Sequence, residues 1–231
     1  MQPALTLPEE IMLLVLDEIT AWAGAIKPGY LAAGAAAAEL TYRGHITPVG
    51  EGKATWFQPT YMSHPRDEML SHALDTMKAK SFEKRAGELV AAVAMRNELV
   101  LGLRQGLVIK GVLRRETRQR FIIFWETRYP EDNPSPKEQL LRRMADAMFG
   151  GGDVSMRDSV IITLTNAAGL LPRHFDKRLL KIHAHRIYEI SRGGALPRAA
   201  TEFDVDAMTT AYISALSVPG SSTFMKGRAR A

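Results

Sequence analysis

An alanine-rich segment, 29–43, is the feature that most constrains the fold. It reads GYLAAGAAAAELTYR and is followed by Gly44. A segment that is apolar or small on every side predicts a helix inside the core, because a helix with one polar face would lie at the surface. Its small side chains allow a neighbouring helix to approach closely. With alanine, leucine and methionine abundant and aromatic residues at 7%, the composition also favours helices over strands.

A second core helix is predicted just before it. Thr6 is suited to cap this helix, Pro8 falls in the first turn, and Glu9 completes a capping box. We expect the helix to run to about Thr20. Its apolar residues between Ile11 and Leu16 cover too wide an arc for a surface stripe, so this helix is also expected to be central.

The remaining patterns predict more helices and two hairpins. They are a hairpin over 45–58, helices over 65–80 and 82–110 with a break near Gly87 or Asn97, a C-cap at Gly111, a hairpin of 112–115 and 121–127 with its turn at 117–119, a capping box at 135–138, and helices over 155–171, 172–192 and 204–217. The predicted fold class is therefore mainly α. We expect a single helical domain over 1–218 with a bundle-like core and two β-hairpins, followed by a basic, disordered tail over 219–231.

Several function classes are excluded or disfavoured by what the sequence lacks. It has no cysteine, which excludes disulfides and thiolate metal sites. Its N-terminus does not resemble an export signal, and its apolar runs are too short to span a bilayer, so we expect a cytoplasmic protein. No catalytic motif is present, and His183 and His185 point to opposite sides of a predicted helix. We predict no enzymatic activity, no metal and no cofactor.

The net charge of +5 is concentrated in two zones. Residues 104–128 and residues 173–198 each contain seven basic and two acidic residues. Such zones indicate anionic partners, although solvated surface faces give the same pattern.

The order of motifs resembles the Golgi phosphoprotein 3 family, in its bacterial branch. The resemblance covers roughly 5–190 and is carried by LTLPEEIMLLVLDE, GYLAAGAAAAELTYRGHI, IKGVL, FIIFW and IITLTNAAGLL. It implies a mostly helical domain with a projecting hairpin used in oligomerisation. It also implies a non-enzymatic peripheral membrane protein that binds phosphatidylinositol 4-phosphate and acts as an adaptor for membrane-protein clients, as the best-known members do for glycosyltransferases in the Golgi.

The resemblance further implies a lipid site, of which this chain retains a part. Trp22 matches the family's tryptophan in the loop after the first helix. The family's arginine positions fall on Ala33 and near Asn97 and Val100, with Arg96 one position away. The predicted partner is therefore an anionic phospholipid surface rather than one headgroup. The predicted lipid-binding residues are Trp22, Lys27 and Arg96.

The segment FIIFW predicts a homo-oligomer. As one strand it presents apolar side chains on both faces, and a helical body normally covers only one of them. The other face is then expected to meet a second subunit, most commonly in a dimer. The predicted interface residues are Arg118, Arg120, Phe121, Ile123 and Trp125.

Two alternatives remain open from the sequence. Helices followed by an arginine-rich hairpin, with Arg114, Arg115, Arg118 and Arg120, also describe a winged helix that binds nucleic acid. We rank this interpretation below lipid binding. The third possibility is an adaptor that binds only proteins.

Overall fold

The structure is a computed structural model that describes residues 4–16, 28–50, 52–60, 64–121 and 124–192. Trp22, Lys27, Ile123, the predicted helix over 204–217 and the predicted tail lie outside the described residues. The described helices are α1 (Leu7–Val15), α2 (Pro28–Tyr42), α3 (Glu68–Lys80), α4 (Ala86–Ala94), α5 (Asn97–Ile109), α6 (Ser135–Phe149), α7 (Met156–Ala167), α8 (Leu171–His174), α9 (Lys177–Ile182) and α10 (Ala184–Ser191). Strands β1 (Ile46–Val49) and β2 (Trp56–Pro59) form one antiparallel hairpin, and β3 (Glu116–Phe121) and β4 (Phe124–Arg128) form another. The prediction of a mainly α fold with two small hairpins is confirmed.

Helix α2 lies at the centre of the helical body, as its alanine-rich sequence predicts. Every residue from Tyr30 to Leu40 is buried. The helix packs against α1, α3, α4, α5 and α7. Side chains no larger than a methyl group over most of its length allow all five neighbours to pack around it.

Helix α1 begins as predicted but ends earlier. Thr6 and Glu9 form the predicted capping box, with the Thr6 N–H donating to Glu9 Oε2 at 2.8 Å. The predicted end near Thr20 is wrong, because the helix ends at Val15. Leu16 has an extended conformation there, and its N–H donates to the carbonyl of Met12.

The long helical segment over 82–110 is two helices. The predicted break near Asn97 is confirmed, since α4 ends at Ala94 and α5 begins at Asn97. Gly111 has a positive φ of 68° after the end of α5, as expected of a residue that terminates a helix. The N–H of Val112 donates to the carbonyl of Leu107 and completes this end.

Two expectations about helix ends in the C-terminal half are wrong. Ser135 lies inside the first turn of α6 instead of capping it, and Asn133 Oδ1 accepts a hydrogen bond from the Ser135 N–H at 3.1 Å. The single helix predicted after Pro172 is three short helices. Phe175 is extended between α8 and α9, and His183 leaves the helical conformation between α9 and α10.

The second hairpin has a different register from the predicted one. The turn is not at 117–119, because Thr117 pairs with Thr127 inside the ladder. Arg118 and Arg120 therefore lie within β3. Phe121 ends β3 while Trp125 lies in β4, so FIIFW is not one strand. This register gives a longer ladder than the predicted pairing and places the backbone of Arg118 opposite that of Glu126.

Candidate functional site

Helices α1 and α2 run antiparallel, and this defines the two ends of the helical body. At one end the Leu7 N–H, at the start of α1, donates to Glu39 Oε2 near the end of α2 at 2.9 Å. The end of α1 and the start of α2 consequently lie together at the other end. There, a Cβ added to Gly29 would lie only 2.6 Å from the carbonyl oxygen of Ala94, at the end of α4. We call this second end, marked by Leu16, Pro28 and the α4–α5 junction, the Arg96 end.

Arg96 is exposed at the N-cap position of α5. Its side chain makes no ion pair with any residue in the described part of the chain. The neighbouring Met95 is 53% exposed, so a cation and an apolar side chain face solvent together. Segment 17–27, which contains Trp22 and Lys27, connects Leu16 to Pro28, and both of these flanking residues are at the Arg96 end.

The opposite end contains three buried glutamates, and we call it the glutamate end. The side chains of Glu9, Glu10 and Glu39 belong to residues that are 3%, 5% and 2% exposed. Lys110, directly after α5, donates to Glu9 Oε2 at 2.6 Å and to the carbonyl of Ala4 at 3.2 Å. Helix α5 therefore extends from the Arg96 end to the glutamate end.

Arg157 connects two of these glutamates. Its Nε donates to Glu10 Oε2 at 2.7 Å, and its Nη1 donates to Glu39 Oε2 at 3.3 Å. Arg43 adds a 2.7 Å hydrogen bond to Glu39, and Arg143 adds a 3.0 Å hydrogen bond to Glu10. Each buried carboxylate has a basic partner, which is the arrangement that buried charges require.

The electrostatics of this network point to a structural role. Burial raises the pKa of the Glu10 carboxyl above its ordinary value, against the lowering effect of Arg157 and Arg143. Burial acts to lower the pKa of Arg143, but the charges of Glu10 and Asp158 outweigh it and raise that pKa. Since the side chains of the network neutralise one another, they leave little free charge to attract a ligand.

A comparison with models of protein families tests the family resemblance that the sequence motifs suggested. The model of the Golgi phosphoprotein 3 family matches residues 7–205. The chain belongs to the Golgi phosphoprotein 3 family. Among curated proteins, no match to the chain was found.

In this member of the Golgi phosphoprotein 3 family, the positions assigned to the family's arginines do not form a cationic cluster. Ala33 is fully buried in α2, and Val100 is partly buried against the core. Asn97 is exposed but neutral. Of the three predicted lipid-binding residues, Arg96 lies in the described part of the chain, and Trp22 and Lys27 lie outside it.

The other predicted site residues of this family member lie on the second hairpin. Arg118, Arg120 and Phe121 are in β3, Trp125 is in β4, and Ile123 lies outside the described residues. Because FIIFW spans two strands, the prediction that Phe121 and Trp125 lie on one face of a single strand is wrong. The homo-oligomer itself stays a prediction.

In the described part of this family member, no helix combines the length and the apolar character needed to cross a bilayer. No group of three or more metal-binding side chains was found there either. The glutamate network was not predicted from the sequence, because its members are up to 147 positions apart in the chain, as Glu10 and Arg157 are.

Proposed function

We propose that this protein attaches to anionic lipid headgroups through its Arg96 end, as a non-enzymatic peripheral membrane protein. The observation that supports the proposal is the position of Arg96. It is an exposed cation without an ion-pair partner among the described residues, at the end of the body where the segment with Trp22 and Lys27 is attached. Membership of the Golgi phosphoprotein 3 family supports a second role as an adaptor for membrane-protein clients.

The chemistry of these three residues suits a membrane surface. A tryptophan side chain places its apolar rings at the headgroup level and its N–H toward polar groups. Each lysine or arginine near an anionic leaflet contributes about 1 kcal/mol, and this contribution is screened by salt. With Ala33, Asn97 and Val100 at the family's arginine positions, the attachment is to negative charge in general rather than to one phosphoinositide.

Co-sedimentation with vesicles tests the proposal. We expect the protein to pellet with vesicles of phosphatidylcholine and phosphatidylserine at low salt, less so at high salt, and not with phosphatidylcholine alone. Phosphatidylinositol 4-phosphate at equal total charge should give no further gain. Equal recovery on neutral and anionic vesicles would refute the electrostatic part, and no recovery on either would refute the membrane role.

Point variants locate the contact. Trp22→Ala and Arg96→Glu are expected to weaken pelleting with anionic vesicles. Lys80→Glu is the matched control, because Lys80 is an exposed lysine at the end of α3, six residues before α4 begins and therefore away from the Arg96 end of α4. A loss as large for Lys80→Glu as for Arg96→Glu would show that only the total charge matters.

A further inference from the structure

The second basic zone of the sequence contains a helix with an unusual exposure. Helix α9 has six residues, KRLLKI, and none of them is buried. Ile182 is 73% exposed and Leu179 is 44% exposed, whereas Leu180 is partly buried against the core. Two of the three large apolar residues of this short helix are exposed to solvent, so they contribute little to the stability of the fold.

The spacing within α9 separates a packed side from an outward side. Successive residues of a helix are turned by about 100°, so Arg178 and Ile182 lie on the side opposite the packed Leu180. Lys181 and Leu179 flank them on either side. Around the outward side, Lys181 and Arg178 are adjacent and Ile182 and Leu179 are adjacent, so this side has a basic half and an apolar half. Such a division is typical of a helix that lies in a membrane interface.

The cations around α9 differ from those at the glutamate end. Arg173, Lys177, Arg178 and Lys181 are all exposed, and none of them forms an ion pair with another residue in the described ranges. The nearby carboxylate of Asp176 caps the helix, since its Oδ1 accepts from the backbone N–H groups of Arg178 and Leu179 at 2.8 and 3.1 Å. The positive charge of α9 is thus left facing solvent.

Helix α9 also lies on the same end of the body as the proposed lipid site. His174, the last residue of α8, has its Nε2 atom 2.9 Å from the carbonyl oxygen of Leu14. Leu14 is two residues before Leu16, after which segment 17–27 and its Trp22 follow. The α8–α9 segment is therefore joined to the Arg96 end and not to the glutamate end.

From these observations we propose that α9 is a second membrane contact, in which Ile182 and Leu179 enter the interface of an anionic bilayer and Lys177, Arg178 and Lys181 bind its headgroups. This inference rests on the proposed membrane function and extends it to residues outside the Arg96 site. A membrane is favoured over a nucleic acid because exposed aliphatic side chains gain from contact with acyl chains. Phosphates and sugars offer no such gain, and α9 has no aromatic side chain on which a base would stack.

Neutralising the cations of α9 is the first test. The triple variant Lys177→Ala, Arg178→Ala and Lys181→Ala is expected to lower the partition coefficient onto phosphatidylserine-containing vesicles about 100-fold. The matched control is the triple variant Lys53→Ala, Lys80→Ala and Arg85→Ala. It removes the same charge from exposed residues of the α3–α4 region and the first hairpin. Circular dichroism checks that both variants keep the fold, as exposed residues changed to alanine should.

The second test is a fluorescent dye attached at position 182. Because the chain has no cysteine of its own, a cysteine introduced there is the single site that the dye labels. Ile182→Cys is labelled with an environment-sensitive dye, and Lys80→Cys with the same dye is the control. On anionic vesicles, the dye at 182 is expected to shift to shorter wavelength and to become protected from a quencher in water. The dye at 80 is expected to show neither change.

The outcomes separate this inference from the proposed function. If the unmodified protein binds no vesicle, both are overturned. If it binds but the α9 variant binds equally well and the dye at 182 does not respond, only the role of α9 is overturned. Binding of duplex DNA that depends on the α9 cations, without a dye response on vesicles, would replace the membrane with a nucleic acid as the partner.

Discussion

Lysine and arginine side chains have opposite roles at the glutamate end and at the Arg96 end. At the glutamate end Arg157, Arg143 and Lys110 donate to buried carboxylates, and their charge is neutralised inside the protein. At the Arg96 end Arg96 and the cations of α9 face solvent. A count of charges along the sequence does not separate these two groups. The partner of each cation decides whether it holds the fold together or is free to bind.

The largest expected effect comes from breaking the glutamate network. Arg157→Ala is expected to lower the free energy of unfolding by about 3 kcal/mol, because the buried carboxylates of Glu10 and Glu39 then lose one of their positively charged partners. Arg178→Ala, the same change at the Arg96 end, should alter it by less than about 0.5 kcal/mol. Urea unfolding followed by circular dichroism gives both values. Equal losses in the two variants would contradict the contrast between the ends.

The predicted homo-oligomer gives a second test of the difference between the two ends. An oligomer that presents more than one Arg96 end to the same membrane should bind it more tightly than a monomer does. Phe121→Ala together with Trp125→Ala is expected to give a monomer by light scattering. The apparent affinity for anionic vesicles should then fall about 100-fold through lost multivalency. An unmodified protein that is monomeric at micromolar concentration would refute the prediction, as would a double variant that keeps both its fold and its mass.

A substitution at Arg96 should move stability and binding in opposite directions. Arg96 occupies the N-cap position of α5, with φ −90° and ψ 119°, but its side chain makes no capping hydrogen bond. Arg96→Ser supplies a capping hydroxyl and is expected to raise the free energy of unfolding by about 0.5–1 kcal/mol. Loss of the cation should weaken binding to anionic vesicles about fivefold. If binding is unchanged while stability rises, Arg96 is not a lipid contact.

The smallest expected effect is a pH dependence at the glutamate end. Burial raises the pKa of Glu10 in the folded protein above its ordinary value of 4.5. The stability that this group contributes is therefore complete below pH 4.5 and is lost as the pH rises through the folded-state pKa. Glu10→Gln lacks this titration, so the stability of the unmodified protein relative to the variant should fall over that window.

The exposed Glu138 provides the control for this pH dependence. Glu138→Gln, measured in the same urea titrations, removes a carboxyl from an exposed position that forms no ion pair with the described residues. A pH dependence of Glu10→Gln no larger than that of this control would contradict the effect of burial on Glu10.

Sequence patterns predicted those features that depend on neighbouring residues. The alanine-rich composition of α2, the capping box of Thr6 and Glu9, and the break before Asn97 all act over a few positions. The second role of Glu9, as the partner of Lys110, depends on a contact across 101 positions and leaves no local signal. Sequence alone therefore showed Glu9 as a helix cap and missed it as part of a buried network.

The segment after Pro172 shows a different reason for an error. A continuous helical pattern to Arg192 hid the interruptions at Phe175 and His183, since neither residue is a strong helix breaker. The second basic zone was recognised as charge, but the exposure of Leu179 and Ile182 became apparent only from the three short helices. Similarly, the continuous apolar character of FIIFW gave no sign that its residues belong to two strands, β3 and β4.

The glutamate network also sets an order of events during synthesis. Glu10 and Glu39 leave the ribosome early, whereas Arg157 follows Glu10 by 147 positions. At about 5–20 residues per second, this interval lasts on the order of 10 s. Glu39 has Arg43 four positions away in the chain, but Glu10 has neither Arg143 nor Arg157 to pair with during that time. We therefore expect the Glu10 carboxylate to be buried only after α6 and α7 have been made.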